Sequence, residues 1–130
     1  MEIEIFTLCD FAQDNNGKLT VVGTFDNINS KQFPVTQPNF CVACRLRFAE
    51  KEAGTHDMRL RFIDGNGKEL LQPIQGQMNI PAAKNGQYST VNLVFNLNNI
   101  KFEKAGRYSF ELYINDEWES GLPLFVSQIA

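Results

Sequence analysis

The chain predicts an all-β fold: one two-sheet antiparallel β-sandwich, immunoglobulin-like or C2-like, with seven to eight strands over residues 1–130. Three observations carry that expectation. Apolar and polar residues alternate with period two along several runs. Turn-forming clusters separate the runs at fairly even spacing. No segment of ten or more residues keeps a clean 3.6-residue period. A length of 130 residues suits a single domain. With 43% hydrophobic and 21% charged residues the composition is that of a globular protein, and eleven Phe favour pleated, half-buried positions.

The first run, Ile3 to Gln13, changes phase, because Glu2 and Glu4 share parity with Phe6 and Leu8; a bulge, or a strand buried on both faces near its middle, would explain this. It ends in "QDNNGK", where Asn16 and Gly17 can adopt the positive φ of a tight hairpin. "KLTVVGTF" puts Leu19, Val21 and Phe25 on one parity, with Gly23 at a bulge or close backbone approach. "QFPVTQPNF" reads as the longest irregular stretch, a crossing between sheets. "FCVACRLRF" alternates cleanly: Phe40, Val42, Cys44, Leu46 and Phe48 on one face, Arg45 and Arg47 on the other. "HDMRLRFID" repeats the pattern with Met58, Leu60 and Phe62 against Arg59 and Arg61. "ELLQPIQGQMNI" reads as a weak strand pair or a bent edge strand, since Pro73 cannot donate to a central ladder and Gly76 weakens pairing. "STVNLVFNL" and "RYSFELYIN" alternate again, and "LPLFVSQI" closes the chain, with Pro123 pointing to an edge or entry position. The expected core runs from Phe11, Leu19, Val21 and Phe25 through Phe40, Val42, Leu46, Phe48, Leu60 and Phe62. It continues through Val91, Leu93, Phe95, Tyr108, Phe110, Leu112 and Phe125.

Several function classes lose ground on composition. The net charge of −3 lacks the basic footprint of nonspecific nucleic-acid binding. No apolar run approaches the roughly 20 residues of a membrane span. "MEIEIFTL" opens with acids where a signal peptide has bases, so a cytoplasmic protein is expected. Cys9, Cys41 and Cys44 read as free buried thiols. "CVAC" has C-x-x-C spacing, but on a strand residues three apart face opposite ways and cannot easily share a metal. Counting from Asp14, the twelfth position of a calcium loop is Phe25 rather than Glu, which favours a hairpin. "DGNGKE", Asp64 to Glu69, reads as a turn on the same grounds. His56, the sole histidine, lacks a recognisable nucleophile motif and reads as a surface residue.

The arginines are the most informative surface feature. If the two arginine-bearing strands pair as neighbours, Arg45, Arg47, Arg59 and Arg61 crowd onto one outward face. Like charges placed opposite one another destabilise a sheet unless offset. Intramolecular carboxylates such as Glu103, Glu111 or Glu119 could offset them; so could an acidic partner or polyanion. Trp118, near the last hairpin turn, either stands exposed, to anchor a partner or stack on a sugar, or folds over the sandwich end as a core lid; if exposed, it and Tyr113, on the outward parity of its strand, extend the candidate interaction face.

The segments "LCDFAQDNNGKLTVVGTFDNI", the following Phe33-Pro34 and "AGRYSFELYINDEWESGLPLFV" resemble a small uncharacterised bacterial family of single-domain immunoglobulin-like β-sandwich proteins, a domain of unknown function. The resemblance implies a fold and transfers no catalytic residue. The expected function is therefore unknown in detail. The leading expectation is a non-enzymatic protein-interaction module or homo-oligomer, without cofactor, metal, nucleic acid or membrane. The alternative is a carbohydrate- or calcium-dependent ligand module.

Overall fold

The computed structural model describes residues 1–130. Nine strands run in chain order: β1 Glu2–Asn15, β2 Lys18–Phe25, β3 Asn27–Ser30, β4 Val35–Phe48, β5 Gly54–Ile63, β6 Ile74–Ile80, β7 Ser89–Phe102, β8 Gly106–Ile114 and β9 Glu117–Gln128. A single 3₁₀ turn, Glu50–Glu52, is the one helical element. The strands form a four-stranded sheet, β2-β1-β4-β7, and a five-stranded sheet, β3-β9-β8-β5-β6. The chain divides into two compact units: Met1–Phe25, Asn39–His56 and Gln77–Leu97 form the first, and Asp26–Pro38, Asp57–Gly76 and Asn98–Ala130 form the second.

In the first unit β4 buries Phe40, Val42, Cys44, Leu46 and Phe48 on one face, as its alternation predicts. β1 lies antiparallel beside it, with Ile3 opposite Leu46 and Leu8 opposite Val42. The register slips between Ile3 and Ile5, so Glu4 is an extra residue. That bulge is the phase change visible in the sequence. Beyond Cys9, β1 leaves β4 and continues with β2 as a hairpin whose turn places Asn16 and Gly17 at φ 51° and 86°. These left-handed values suit a tight two-residue turn.

The hairpin bends back over its own sheet. Ile5 is the register partner of Arg45. A straight strand rises about 3.3 Å per residue, so Gly17 would lie roughly 40 Å from Ile5. Arg45 nevertheless donates from Nη1 to the Gly17 carbonyl at 3.0 Å. The fold-back brings Leu19 and Val21 of β2 against a buried patch of small side chains: Cys9, Ala12, Cys41 and Ala43. Small residues there let the backbones approach closely. Gly23 sits at the bend with φ 69°, and a Cβ on it would stand 2.5 Å from the Asp10 carboxylate. What lies close to Gly23 is the Asp10 side chain rather than backbone, and the β1–β2 register runs past it without a bulge.

In the second unit β5, β8 and β9 pair antiparallel, Leu60 opposite Leu112 and Phe62 opposite Phe110. Leu60, Phe62, Phe110, Leu112 and Leu124 are all but inaccessible. The Phe62 and Phe110 rings stack with centroids 4.2 Å apart, and Phe102 meets Phe62 edge-on at 5.9 Å. Tyr108 is buried among them and donates its hydroxyl to the Lys104 carbonyl at 2.7 Å, so its polar tip is satisfied. The β8–β9 turn, Asn115–Asp116, has φ of 52° and 64°, values that Asn and Asp tolerate.

The structure corrects several expectations. There are nine strands rather than seven to eight, and they are not all antiparallel. β3 pairs parallel with β9, Asn27 beside Phe125. Four mostly polar residues are too short a run for periodicity to reveal, which is why β3 is missed. Val35 to Phe40, read as irregular, begins β4; Pro38 lies beyond Cys41, where the ladder with β1 ends, so its missing N–H costs that ladder nothing. β9 is not an edge strand, but Pro123 precedes the segment Phe125–Gln128 that β3 pairs, so it still occupies a locally unpaired border. Two expected core residues are exposed. Phe11 (49%) lies on the outer side of the folded-back hairpin opposite Val22, and Phe125 (40%) has the outward parity of β9, beneath the Arg107 guanidinium.

Candidate interaction face

The four arginines do not share a face. β4, which carries Arg45 and Arg47, belongs to the four-stranded sheet, and β5, which carries Arg59 and Arg61, to the five-stranded one. Alternation placed each pair correctly on the polar side of its strand. It could not reveal that "AEKEAGT" joins two different sheets, because pairing partners are non-local.

Arg45 is absorbed by the first unit. Its Nε donates to Glu4 at 2.9 Å, its Nη1 to Gly17 O and to Asn92 Oδ1 at 2.8 Å, and its Nη2 to Thr90 at 3.2 Å. Asn92 completes the clamp, donating to Asp14 at 2.7 Å and to Gly17 O at 3.2 Å. One guanidinium thus ties the hairpin tip to β1 and β7. Arg47 lies 3.8 Å from Glu4 and places its guanidinium over the Tyr88 ring at 4.7 Å. Glu4, the bulged residue, faces both arginines; the sequence reading named other acids as partners.

The second unit presents a different arrangement. On the face opposite Leu60 and Leu112, a row crosses three strands in register: Arg59 of β5, Tyr113 of β8 and Trp118 of β9. The Arg59 guanidinium lies over the Tyr113 ring at 4.4 Å. A second row holds Arg61, Glu111 and Gly121. Arg61 donates to Glu69 at 2.8 Å and to the Tyr113 hydroxyl at 3.4 Å, and these contacts, the tyrosine's first, raise its pKa further. Trp118 is 58% exposed, yet it is tethered: its indole N–H donates to Glu111 at 2.7 Å. The same carboxylate accepts from Ser109 at 2.9 Å. It lies over Gly121, where a Cβ would come within 2.5 Å of it. The chain therefore fixes the orientation of its one tryptophan while leaving the ring in water.

The other sequence candidates sit elsewhere. His56 Nε2 lies 2.6 Å from the Glu52 carbonyl, so that nitrogen carries the proton and donates, and the ring packs 5.0 Å from Phe48. Cys41 and Cys44 point to opposite faces of β4. Cys41 lies opposite Cys9 and donates to Asn96 Oδ1 at 3.1 Å, while Cys44 is buried among the apolar residues. Burial pushes the Cys9 thiol up to about 11 and the Cys44 thiol up to about 12. Asp14 is engaged by Asn92, and Asp64 Oδ1 accepts the amides of Asn66 at 2.8 Å and Lys68 at 3.0 Å. Those amide bonds, Lys68's first, hold the Asp64 carboxyl below its ordinary range. Both loops are turns stabilised by their acid. No group of three or more His, Cys, Asp or Glu side chains is placed to hold a metal ion. An open hollow of about 560 Å³ beside the Asp64 turn gathers charges of both signs, among them Lys68, Lys101, Lys104 and Glu103. No helix is long and apolar enough to cross a membrane.

Nine strands in two sheets, with a tethered aromatic row on one face of the five-stranded sheet, define an all-β fold. The chain belongs to the family of unknown function DUF6941, whose model matches residues 4–127. No curated protein matches it. Among solved structures it is similar to Pseudomonas fluorescens alkylpurine DNA glycosylase AlkC bound to DNA containing an abasic site analog, with 11% identity and a TM-score of 0.43 over 78% of this chain and 28% of that one. It is also similar to superoxide reductase (neelaredoxin) from Ignicoccus hospitalis, with 15% identity and a TM-score of 0.35 over 92% and 80% of the two chains. The chain spans less than a third of the glycosylase chain it matches. At these scores neither likeness bears on activity or ligand.

Proposed function

We propose that this protein is a non-enzymatic interaction module that contacts a protein partner through the β5–β8–β9 face. The observation that carries the reading is the row Arg59, Tyr113, Trp118. Trp, Tyr and Arg are the residue types enriched at the energetic centres of protein interfaces. Here they are aligned across three strands, and the largest of them is exposed while its N–H is already satisfied. A tethered ring loses little conformational entropy on binding. In this reading the module is immunoglobulin-like, works in the cytoplasm of a bacterium and engages neither nucleic acid nor membrane; the acidic balance of the chain supports the exclusion of nucleic acid. The test is affinity capture from native-host lysate with wild type and Trp118→Ala, quantified by mass spectrometry. Loss of one partner by about thirtyfold, the size of a hot-spot truncation, is expected. Identical partner profiles would overturn the proposal.

A second reading is favoured by the same ring. An indole whose N–H is occupied offers a flat apolar surface on which a sugar ring can stack. Because Trp118 is the sole tryptophan, its fluorescence reports directly on sugar titration. A saturable change with a saccharide would favour this second reading.

A further inference from the structure

Resting on the interaction reading above, we infer that the segment docking on Trp118 is basic: an extended stretch of a partner protein that presents Lys or Arg side chains to the indole. Four arginines seen in sequence invite the opposite sign, an acidic partner. The structure removes that argument, because Arg45, Arg47 and Arg61 already face Glu4 or Glu69. The charge left around the exposed ring is negative. From Tyr108 to Ala130 the chain carries Glu111, Asp116, Glu117 and Glu119 and no Lys or Arg. Asp116, Glu117 and Glu119 form no ion pair. Asp116 in the β8–β9 turn and Glu119 stand on either side of Trp118 in the chain, while Glu117 pairs with buried Ile114 and takes the other face. The register shift between Leu112 and Tyr113 makes Glu119 the extra residue of a bulge beside the tryptophan. Within the row the one opposing cation is Arg59, whose guanidinium lies on Tyr113.

Two features therefore select the same ligand chemistry. The indole face attracts a cation electrostatically, and Trp is the strongest aromatic partner for one. The unpaired carboxylates raise the local concentration of cations and supply charge-assisted acceptors once one has arrived. The tie from Trp118 Nε1 to Glu111 removes the indole's own donor, so recognition falls to the ring face and the surrounding acids. An acidic segment would meet like charge from Asp116 and Glu119, and an uncharged one would leave those two carboxylates desolvated without partners.

The experiment titrates three labelled decapeptides of matched length, one Lys/Arg-rich, one Glu-rich and one Gly/Ser, onto the full chain. Peptide anisotropy and Trp118 fluorescence are read together. The basic peptide is expected to bind, to quench Trp118 and to weaken as salt rises. Trp118→Ala should weaken it about tenfold, and so should the combined Asp116→Asn, Glu119→Gln variant, which keeps an αL-tolerant residue in the turn. Basic-peptide binding that is indifferent to Trp118→Ala would be diffuse attraction to an acidic protein and would overturn the inference. Tighter Trp118-dependent binding of the Glu-rich or Gly/Ser peptide would overturn the inference while leaving the interaction reading standing. Silence from all three, with a saccharide moving Trp118 fluorescence, would overturn both.

Discussion

Arg45 and Arg59 begin alike, each on the polar parity of an alternating strand, and the two units use them differently. In the first unit Arg45 reaches four groups across β1, β7 and the hairpin tip, and so becomes part of how the hairpin folds back. In the second unit Arg59 lies on Tyr113 in a row that ends in exposed Trp118. The difference follows from what faces each arginine. A bulged Glu4 and a returning loop surround the first with acceptors. The second lies over the Tyr113 ring, with Trp118 beyond it in the same row. The same residue pattern yields a clamp where the sheet curls and a presentation surface where the opposite face stays open.

The largest expected effect comes from attacking the curl. Gly23→Ala should cost about 2–4 kcal/mol, combining the left-handed φ penalty with the clash against Asp10. Urea unfolding measures it, and a loss under about 0.5 kcal/mol would show that the bend does not depend on this glycine. Asn92→Ala comes next, at about 1–2 kcal/mol, since it removes the donor to the Asp14 carboxylate and an acceptor of Arg45, leaving the Gly17 carbonyl to Arg45 alone. The same substitution at Ser109, which touches only Glu111, should cost less than Asn92→Ala.

The thiols sharpen the contrast, because Cys9, Cys41 and Cys44 all lie in the first unit. Native protein should resist alkylation at pH 8, since burial holds Cys9 and Cys44 protonated up to about 11 and about 12. The sign for stability follows. A thiol whose pKa is raised on folding contributes stability that is complete below its unfolded value near 9. That contribution is lost as pH rises through 11 and 12. Urea midpoints should therefore fall between pH 9 and pH 11, and flat midpoints would contradict the burial of these thiols. The smallest effect on stability belongs to Gly121→Ala, at about 1 kcal/mol or less. The added methyl displaces the Glu111 carboxylate and frees the Trp118 N–H. It should nevertheless shift Trp118 emission, whereas Gly23→Ala should leave the folded-state emission unchanged.

Much of this architecture is legible along the chain because period-two alternation and turn chemistry are local. The polarity of β4, β5 and β8, the Asn16-Gly17 hairpin and the bulge near Glu4 all come from neighbours within a few residues. What fails is non-local. Assigning Arg45 and Arg59 to one face needed strand partners that alternation cannot name. Phe11 looked like core because its parity is apolar, but the bend at Asp10 and Gly23 turns that parity outward. β3 was invisible because its pairing is parallel and its four residues, "NINS", carry one apolar side chain. For the candidate face, Tyr113 could be read as outward-facing, but Trp118 could equally have been a lid on the core, and only the structure exposes it. Their alignment with Arg59, and the Glu111 tether, required the register of three strands.

The most direct test is equilibrium urea unfolding of Arg45→Ala and Arg59→Ala side by side, an identical truncation in the two settings. If one arginine holds the fold and the other serves the surface, Arg45→Ala loses about 2–3 kcal/mol and Arg59→Ala about 1 kcal/mol or less. Equal losses, or the larger loss at Arg59, would contradict that division of roles.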